Sequence, residues 1–217
     1  MIVFSGTLNL LDGAGTDLTV NGTFTCNTAA PNMNINTGAV VAGNVNFGGT
    51  TLTNDGTITG QLGMFGIGAG SHPQILGGTG SIGTLLTFND LSTITLGGDQ
   101  TVTGLLNFNY GGITTGPHKL IIGSNANVQN NSVTEWYVNG NMQKNFPAGN
   151  TSFQYRVGDA SGFRPVTLSL TGAAASAGGI VISTTVGDHP NIGTATIDAT
   201  KSVNRNWRFT NSGQTFT

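Results

Sequence analysis

The stretch GTTLTNDGTITG, residues 49–60, joins two short runs of alternating polar and apolar residues through the dipeptide Asp55-Gly56. Alternation with period two places the apolar side chains on one face of a strand, and Asp-Gly forms tight turns at little steric cost. Residues 15–26 (GTDLTVNGTFTC) and 92–104 (STITLGGDQTVTG) are variants of the same unit. Because one unit is too small to bury its own apolar face, its repetition predicts a β-solenoid whose stacked coils share a core.

The whole chain is predicted to be all-β, because no segment shows a sustained helical period with caps. Short strands are also compatible with a barrel or a sandwich, but the repeats favour a parallel β-solenoid (β-helix) over residues 1–145. Residues 146–217 predict a β-sandwich-like domain, truncated at its C-terminus, with strands at residues 153–157, 166–170, 180–183 and 207–210. We therefore expect a piece of a longer polypeptide, without a signal peptide.

Charge is scarce and unevenly distributed along the chain. Only 7% of the 217 residues are charged, 35 are glycine, and the net charge is −2. Residues 1–118 contain no lysine or arginine, which excludes a nucleic-acid groove there. All seven basic residues lie between Lys119 and Arg208. This asymmetry indicates a domain change or a docking face, or else long amphipathic side chains that cover a sandwich surface.

Acidic residues in the predicted solenoid raise two enzymatic alternatives. Parallel β-helices that cleave acidic polysaccharides use Asp-bound Ca²⁺ and an Arg or Lys base, and residues 1–118 lack that base. A glycosidase needs two carboxylates about 5 to 9.5 Å apart, and the mid-solenoid candidates are Asp55, Asp90 and Asp99. Asp55 and Asp99 lie in turns, where a structural Asx role is expected. We therefore predict no enzymatic activity, with a polysaccharide-binding or polysaccharide-degrading β-helix as the alternative.

No residue set predicts a metal or cofactor site. The single Cys26 can form no intrachain disulfide, and its strand context predicts a buried apolar role. His72, His118 and His189 are far apart in sequence, and CxxC, HExxH and GGxGxD spacings do not occur. We therefore predict no catalytic residues, no metal ligands and no cofactor.

Thr-x-Thr pairs suggest a further alternative, an ice-binding solenoid, because such pairs on a flat face can order water. That mechanism needs a constant coil spacing, and the pairs are irregularly separated. The strand propensity of threonine accounts for them without ice binding. The pairs begin at Thr23, Thr51, Thr57, Thr93 and Thr101.

A set of ordered motifs between residues 95 and 213 resembles the repeat-rich surface proteins that Bacteroidota-type bacteria export through the type IX system. The motifs are TLGGDQTVTGLLNF (95–108), TTGPHKLIIG (114–123), WYVNGNMQKNFPAGNTSFQYRVGD (136–159), GFRPVTLSL (162–170) and VNRNWRFTNSG (203–213). The chain departs from the family pattern at Pro117-His118-Lys119, where Gly-His-Thr is common. The resemblance implies a parallel β-helix that leads into an immunoglobulin-like sandwich, in an extracellular or cell-surface setting, and it implies no catalytic residue.

These observations predict an extracellular structural or adhesive module, a stiff cell-surface or secreted spacer. The expected partners are neighbouring domains of the longer polypeptide and extracellular glycans or surface proteins, with no nucleic acid and no membrane span. Four aromatic residues are candidate ligand contacts, although each also suits a core position. They are Trp136, Tyr137, Tyr155 and Trp207.

Overall fold

The computed structural model describes residues 6–26, 32–65, 72–88, 93–132, 134–171, 177–196 and 198–215. This part contains no α-helix, only two short 3-10 turns at Ile192–Thr194 and Ala199–Lys201. About 65% of the described residues are in strands, which confirms the all-β class. The strands are β1 (Thr7–Leu10), β2 (Leu18–Cys26), β3 (Asn32–Ile35), β4 (Val40–Phe47), β5 (Thr51–Asn54), β6 (Thr57–Phe65), β7 (Gln74–Gly77), β8 (Ser81–Phe88), β9 (Ile94–Gly97), β10 (Gln100–Tyr110), β11 (Ile113–Ile122), β12 (Asn127–Asn130), β13 (Val138–Phe146), β14 (Thr151–Tyr155), β15 (Val157–Asp159), β16 (Gly162–Phe163), β17 (Val166–Leu170), β18 (Gly178–Val186) and β19 (Arg205–Ser212).

Strands β1 to β13 wind into the predicted parallel solenoid, which has three sides and about six turns. Side 1 stacks β1, β3, β5, β7, β9 and the first parts of β11 and β13. The longer strands β2, β4, β6, β8 and β10 are bent, so that the first half of each lies on side 2 and the second half on side 3. Side 2 continues through the second parts of β11 and β13, and side 3 ends at β12.

The core consists of columns in which each inward side chain lies over that of the previous coil. One column on side 1 is Leu8, Met33, Leu52, Leu76 and Leu96. Leu8 is half-buried, and the other four are at most 3% exposed. Cys26 is fully buried in a side-3 column, which confirms its predicted packing role. Because every coil covers the next, strands of four residues obtain a core that none of them has alone.

Glycine is abundant because the bends bring the backbones of successive coils into contact. A Cβ on Gly60, at the bend between sides 2 and 3, would lie 2.1 Å from the carbonyl oxygen of Gly43 in the coil below. A Cβ on Gly83, one coil further, would lie 2.4 Å from the carbonyl oxygen of Thr59. Contacts this short exclude any side chain, so the bends require glycine for close approach.

The three similar sequence segments do not all occupy the same position in the coil. Residues 49–60 and 93–104 form parts of sides 1 and 2, whereas residues 18–26 form sides 2 and 3 within the single strand β2. The similar sequence therefore reflects a general unit of strand, glycine bend and strand. The unit does not mark one fixed corner of the coil, because the chain bends, and needs a small residue, at more than one of the three corners.

Antiparallel strands follow the solenoid. The last parallel pairing joins Val138 of β13 to Val157 of β15, beyond residue 145. Strand β18 then pairs antiparallel with β13, and β19 pairs antiparallel with β18, so both extend side 2. Strands β14 and β17 form a separate two-stranded antiparallel sheet. The strands predicted at residues 166–170, 180–183 and 207–210 are confirmed as β17, β18 and β19, while a two-sheet sandwich over residues 146–217 stays a prediction.

Candidate functional site

Three acids of the solenoid bind the backbone of the following coil. Carboxylate oxygens of Asp17, Asp55 and Asp99 accept hydrogen bonds from backbone N–H groups located 23, 24 and 20 residues later, at 2.8, 2.9 and 2.9 Å. We call these three side chains the carboxylate clamps. Asp55 and Asp99 therefore have the expected structural role, but their hydrogen bonds join two coils and do not close a local turn. Asp90 lies outside the described residues.

Two of the four predicted contact residues are packed into the protein. Tyr155 has no exposed surface, and its hydroxyl donates to the Ile180 carbonyl at 2.9 Å. A ligand cannot reach it in this arrangement, and burial raises its pKa. Trp136 is half-buried at the corner before β13, where its carbonyl accepts from Arg156 at 3.2 and 3.3 Å.

The other two predicted residues are half-buried and both contact residues 159–164. The Tyr137 hydroxyl donates to the Asp159 carbonyl at 2.9 Å, and its ring stacks on Phe163 at a centroid distance of 6.2 Å. Trp207 is half-buried, and its indole N–H donates to the Arg164 carbonyl at 3.4 Å. The four aromatic residues therefore do not form one exposed platform, and only Trp207 lines a surface depression among those described.

The three histidines do not converge. His72 bonds the Gly49 carbonyl at 3.1 Å through Nε2, His118 lies 3.8 Å from Asp99, and His189 is exposed. Among the described residues, no group of three His, Cys, Asp or Glu side chains is arranged to hold a metal ion.

A polar groove on the outer face of side 2 was not predicted from the sequence. Its volume is about 340 Å³, and it crosses β11, β13, β18 and β19. The side chains that carry its chemistry are Asp99, Lys119, Asn141, Ser183, Arg208 and Thr210. We call this depression the side-2 groove. The signal that points to it is the absence of basic residues before Lys119, since its two cations come from the basic half of the chain.

The charges of the side-2 groove are only partly compensated. The Lys119 ammonium lies 3.4 Å from the Asp99 carboxylate, and both side chains are about one third exposed. In contrast, the exposed Arg208 guanidinium has no hydrogen-bond or ion-pair partner within the described ranges. A second groove of about 700 Å³, lined by Trp207 and Phe209, shares Arg208 and Ser183 with the first. Arg208 therefore lies between two grooves as a cation without an acidic partner among the described residues.

A buried ammonium ends one core column at the last coil. Lys144 follows Ile122 in the side-2 column, and its Nζ donates to three backbone carbonyls, of Gly123, Ser124 and Ala126, at 2.6 to 2.9 Å. It also lies 5.1 Å from the ring centroid of Phe153 on β14. Burial lowers the pKa of Lys144 to about 8. At neutral pH it therefore stays mainly protonated and satisfies carbonyls that no further coil covers.

One ion pair ties β19 to the end of the stack. Arg205 donates to the carboxylate of Asp159 and to the hydroxyl of Ser161, and both charged side chains are about one tenth exposed. Burial raises the pKa of Asp159, but the hydrogen bonds from Ser161 and Arg205 outweigh it and lower the pKa below 3.8. The antiparallel strands are therefore fastened to the solenoid by a charged contact as well as by the β13–β18 ladder.

Comparison with known proteins identifies no relative, since no family model, no curated protein and no solved structure matches the chain. Among the described residues, the structure contains no helix with the length and hydropathy needed to cross a membrane.

Proposed function

We propose that this chain is a stiff structural or adhesive module that works outside the cell, at the cell surface or after secretion, without catalytic activity. The observation that carries the proposal is the clamped stack: parallel ladders run from β1 to β13, and the carboxylate clamps join successive coils at their corners. Continuous hydrogen bonding along one axis resists bending, because each coil is held by three strands and a corner contact.

The absence of catalytic activity is supported by how the acids are used. Asp17, Asp55 and Asp99 each accept a hydrogen bond from a backbone N–H of the next coil, which gives these acids a structural role. The setting outside the cell is supported by the motifs at residues 95–213 that resemble exported surface proteins. In that setting residues 146–217 belong to a sandwich-like domain, and neighbouring domains of a longer polypeptide are the primary partners.

Ice binding gains no support from the arrangement of threonines. The pairs at Thr51 and Thr93 lie on side 1, those at Thr57 and Thr101 on side 2, and the pair at Thr23 on side 3. On side 1, the coil between the two pairs presents Ile75 and Gly77. No side therefore repeats the pair in every described coil.

Single-molecule pulling on a tandem array of the chain tests the mechanical part of the proposal. Asp55→Ala removes one carboxylate clamp, whereas the control Asp12→Ala removes an exposed acid without a bonding partner in the described part of the chain. We expect Asp55→Ala to lower the unfolding force and Asp12→Ala to leave it unchanged. Equal forces for both variants would contradict a stiffness that depends on the clamps.

Two further measurements test the setting and the lack of catalysis. Protease treatment of intact source cells is expected to release the chain, or the culture medium to contain it. Incubation with acidic and neutral polysaccharides is expected to yield no soluble products. A chain protected inside intact cells would refute the proposed setting, and product release would assign the chain to the enzymes instead.

A further inference from the structure

We infer that the side-2 groove is a binding site for an acidic glycan, a polymer whose sugar units carry carboxylate or sulfate groups. The inference specifies the adhesive part of the proposed function and rests on it for its setting. It is carried by three observations: a row of polar side chains across four strands, an unpaired guanidinium within that row, and free hydroxyl groups beside it.

The row follows from strand register. Lys119 of β11 pairs with Asn141 of β13, and Ser183 of β18 pairs with Arg208 of β19. The β13–β18 ladder, in which Met142 pairs with Ile182, places Asn141 beside Ser183. All four side chains therefore face outward in one line. Adjacent strands are about 4.8 Å apart, so the two cations at its ends have Cα atoms roughly 14 Å apart.

The two ends of the row differ in their readiness to bind an anion. Asp99 lies 3.4 Å from Lys119 and neutralises it in the unliganded protein. Arg208 has no such partner in the described residues, and its planar guanidinium offers paired N–H donors that match the geometry of a carboxylate or a sulfate. We therefore assign the anionic group to Arg208 and give Lys119 a supporting role.

The neutral groups favour a glycan over an acidic peptide. The hydroxyls of Ser183, Thr210 and Ser212 line the groove and have no hydrogen-bond partner within the described ranges, so they are free to bind sugar hydroxyls. The side-2 groove has no deep apolar pocket that would select a peptide side chain, and its volume of about 340 Å³ suits a short stretch of sugar units.

Surface plasmon resonance with immobilised polymers tests the inference on the complete 217-residue chain. The polymers are polygalacturonate, dextran sulfate, neutral dextran and poly-L-glutamate. We expect binding to polygalacturonate or dextran sulfate at low salt, weakened toward about 0.15 M salt, and none to dextran. Tighter binding to polygalacturonate identifies carboxylate as the recognised group, and tighter binding to dextran sulfate identifies sulfate.

Matched variants separate a site from general charge attraction. Arg208→Gln is expected to weaken binding about tenfold, because it removes a charge-assisted hydrogen bond. Lys201→Gln removes an 82% exposed cation outside the groove and is expected to bind like the original chain. Equal losses in both variants, tighter binding to poly-L-glutamate, or no binding to any anionic polymer would each overturn the inference. These outcomes leave the pulling experiment untouched, so the glycan site and the spacer function fail separately.

Discussion

Gln100 is the residue through which the polar interior of the solenoid can be tested. Its amide lies inside the core, fully buried, and joins three coils. Nε2 donates to the carbonyls of Asn54 and Gly77 at 3.0 and 2.9 Å, and Oε1 accepts from the Asn54 side chain at 3.1 Å. Since Asn54 precedes Gln100 by 46 residues, one side chain fixes the register of coils that are not adjacent.

The expected effect of Gln100→Leu follows from these three bonds. Each buried hydrogen bond contributes about 1 kcal/mol to stability, so their loss costs about 3 kcal/mol. The apolar leucine side chain returns about 1 kcal/mol through burial. The free energy of unfolding should therefore fall by about 2 kcal/mol. Asn54→Leu, combined with Gln100→Leu in a double-mutant cycle, should show a coupling energy of about 1 kcal/mol, because the two side chains share a bond.

Urea denaturation followed by far-UV circular dichroism measures these values. The matched control is Gln129→Leu, because Gln129 lies on β12 with an exposed side chain that has no bonding partner in the described part of the chain. We expect that control to change stability by at most about 0.5 kcal/mol. If Gln100→Leu is no more destabilising than Gln129→Leu, or if the cycle shows no coupling, the interior amides do not hold the register and the reasoning is refuted.

Two further predictions concern a bend and the end of the stack. Gly60→Ala should lower the free energy of unfolding by about 2 kcal/mol or more, because its Cβ meets the Gly43 carbonyl oxygen at 2.1 Å. Gly193→Ala, with open space around its Cβ, is the control, and equal urea midpoints would contradict the close-approach argument. Since Ser161 and Arg205 lower the pKa of Asp159, the folded state binds this proton less readily than the unfolded state does. The stability that ionised Asp159 contributes is therefore present above pH 3.8 and is lost as the pH falls through the lowered pKa. In acid, the urea midpoint should decline more steeply for the original chain than for Asp159→Asn. Parallel pH profiles of the two proteins would refute the linkage.

The stacked architecture could be predicted because the period-two alternation and the glycine bends are local signals. The alternation in residues 49–60 specifies which side chains turn inward, and Leu52 and Ile58 are fully buried as that pattern requires. The burial of Cys26 follows in the same way from its strand. Strand and bend positions could be predicted because each depends on a few adjacent residues.

The phase of the coils and the side-2 groove could not be predicted, because both depend on pairing between distant residues. Residues 15–26 and 49–60 look alike, yet they occupy different sides, since a strand–bend–strand unit fits any corner. The groove exists only because β18 turns back to pair with β13 and carries β19 alongside. The composition shows that Arg208 belongs to the basic half of the chain, but only the strand pairing shows that Arg208 lies in line with Lys119.

The distribution of charge along the chain now has a physical explanation in the stack itself. Within the repeated coils, each strand pairs with a strand of the coil before and of the coil after. The carboxylates of Asp17, Asp55 and Asp99 accept hydrogen bonds from backbone N–H groups. Cations are not needed there, because parallel ladders already satisfy the carbonyls. They become useful where the repetition stops: Lys144 binds three carbonyls at the last coil, and Arg205 fastens β19 through Asp159. Arg208 satisfies no such structural need among the described residues, which is why it, and not the basic residues at large, points to a ligand.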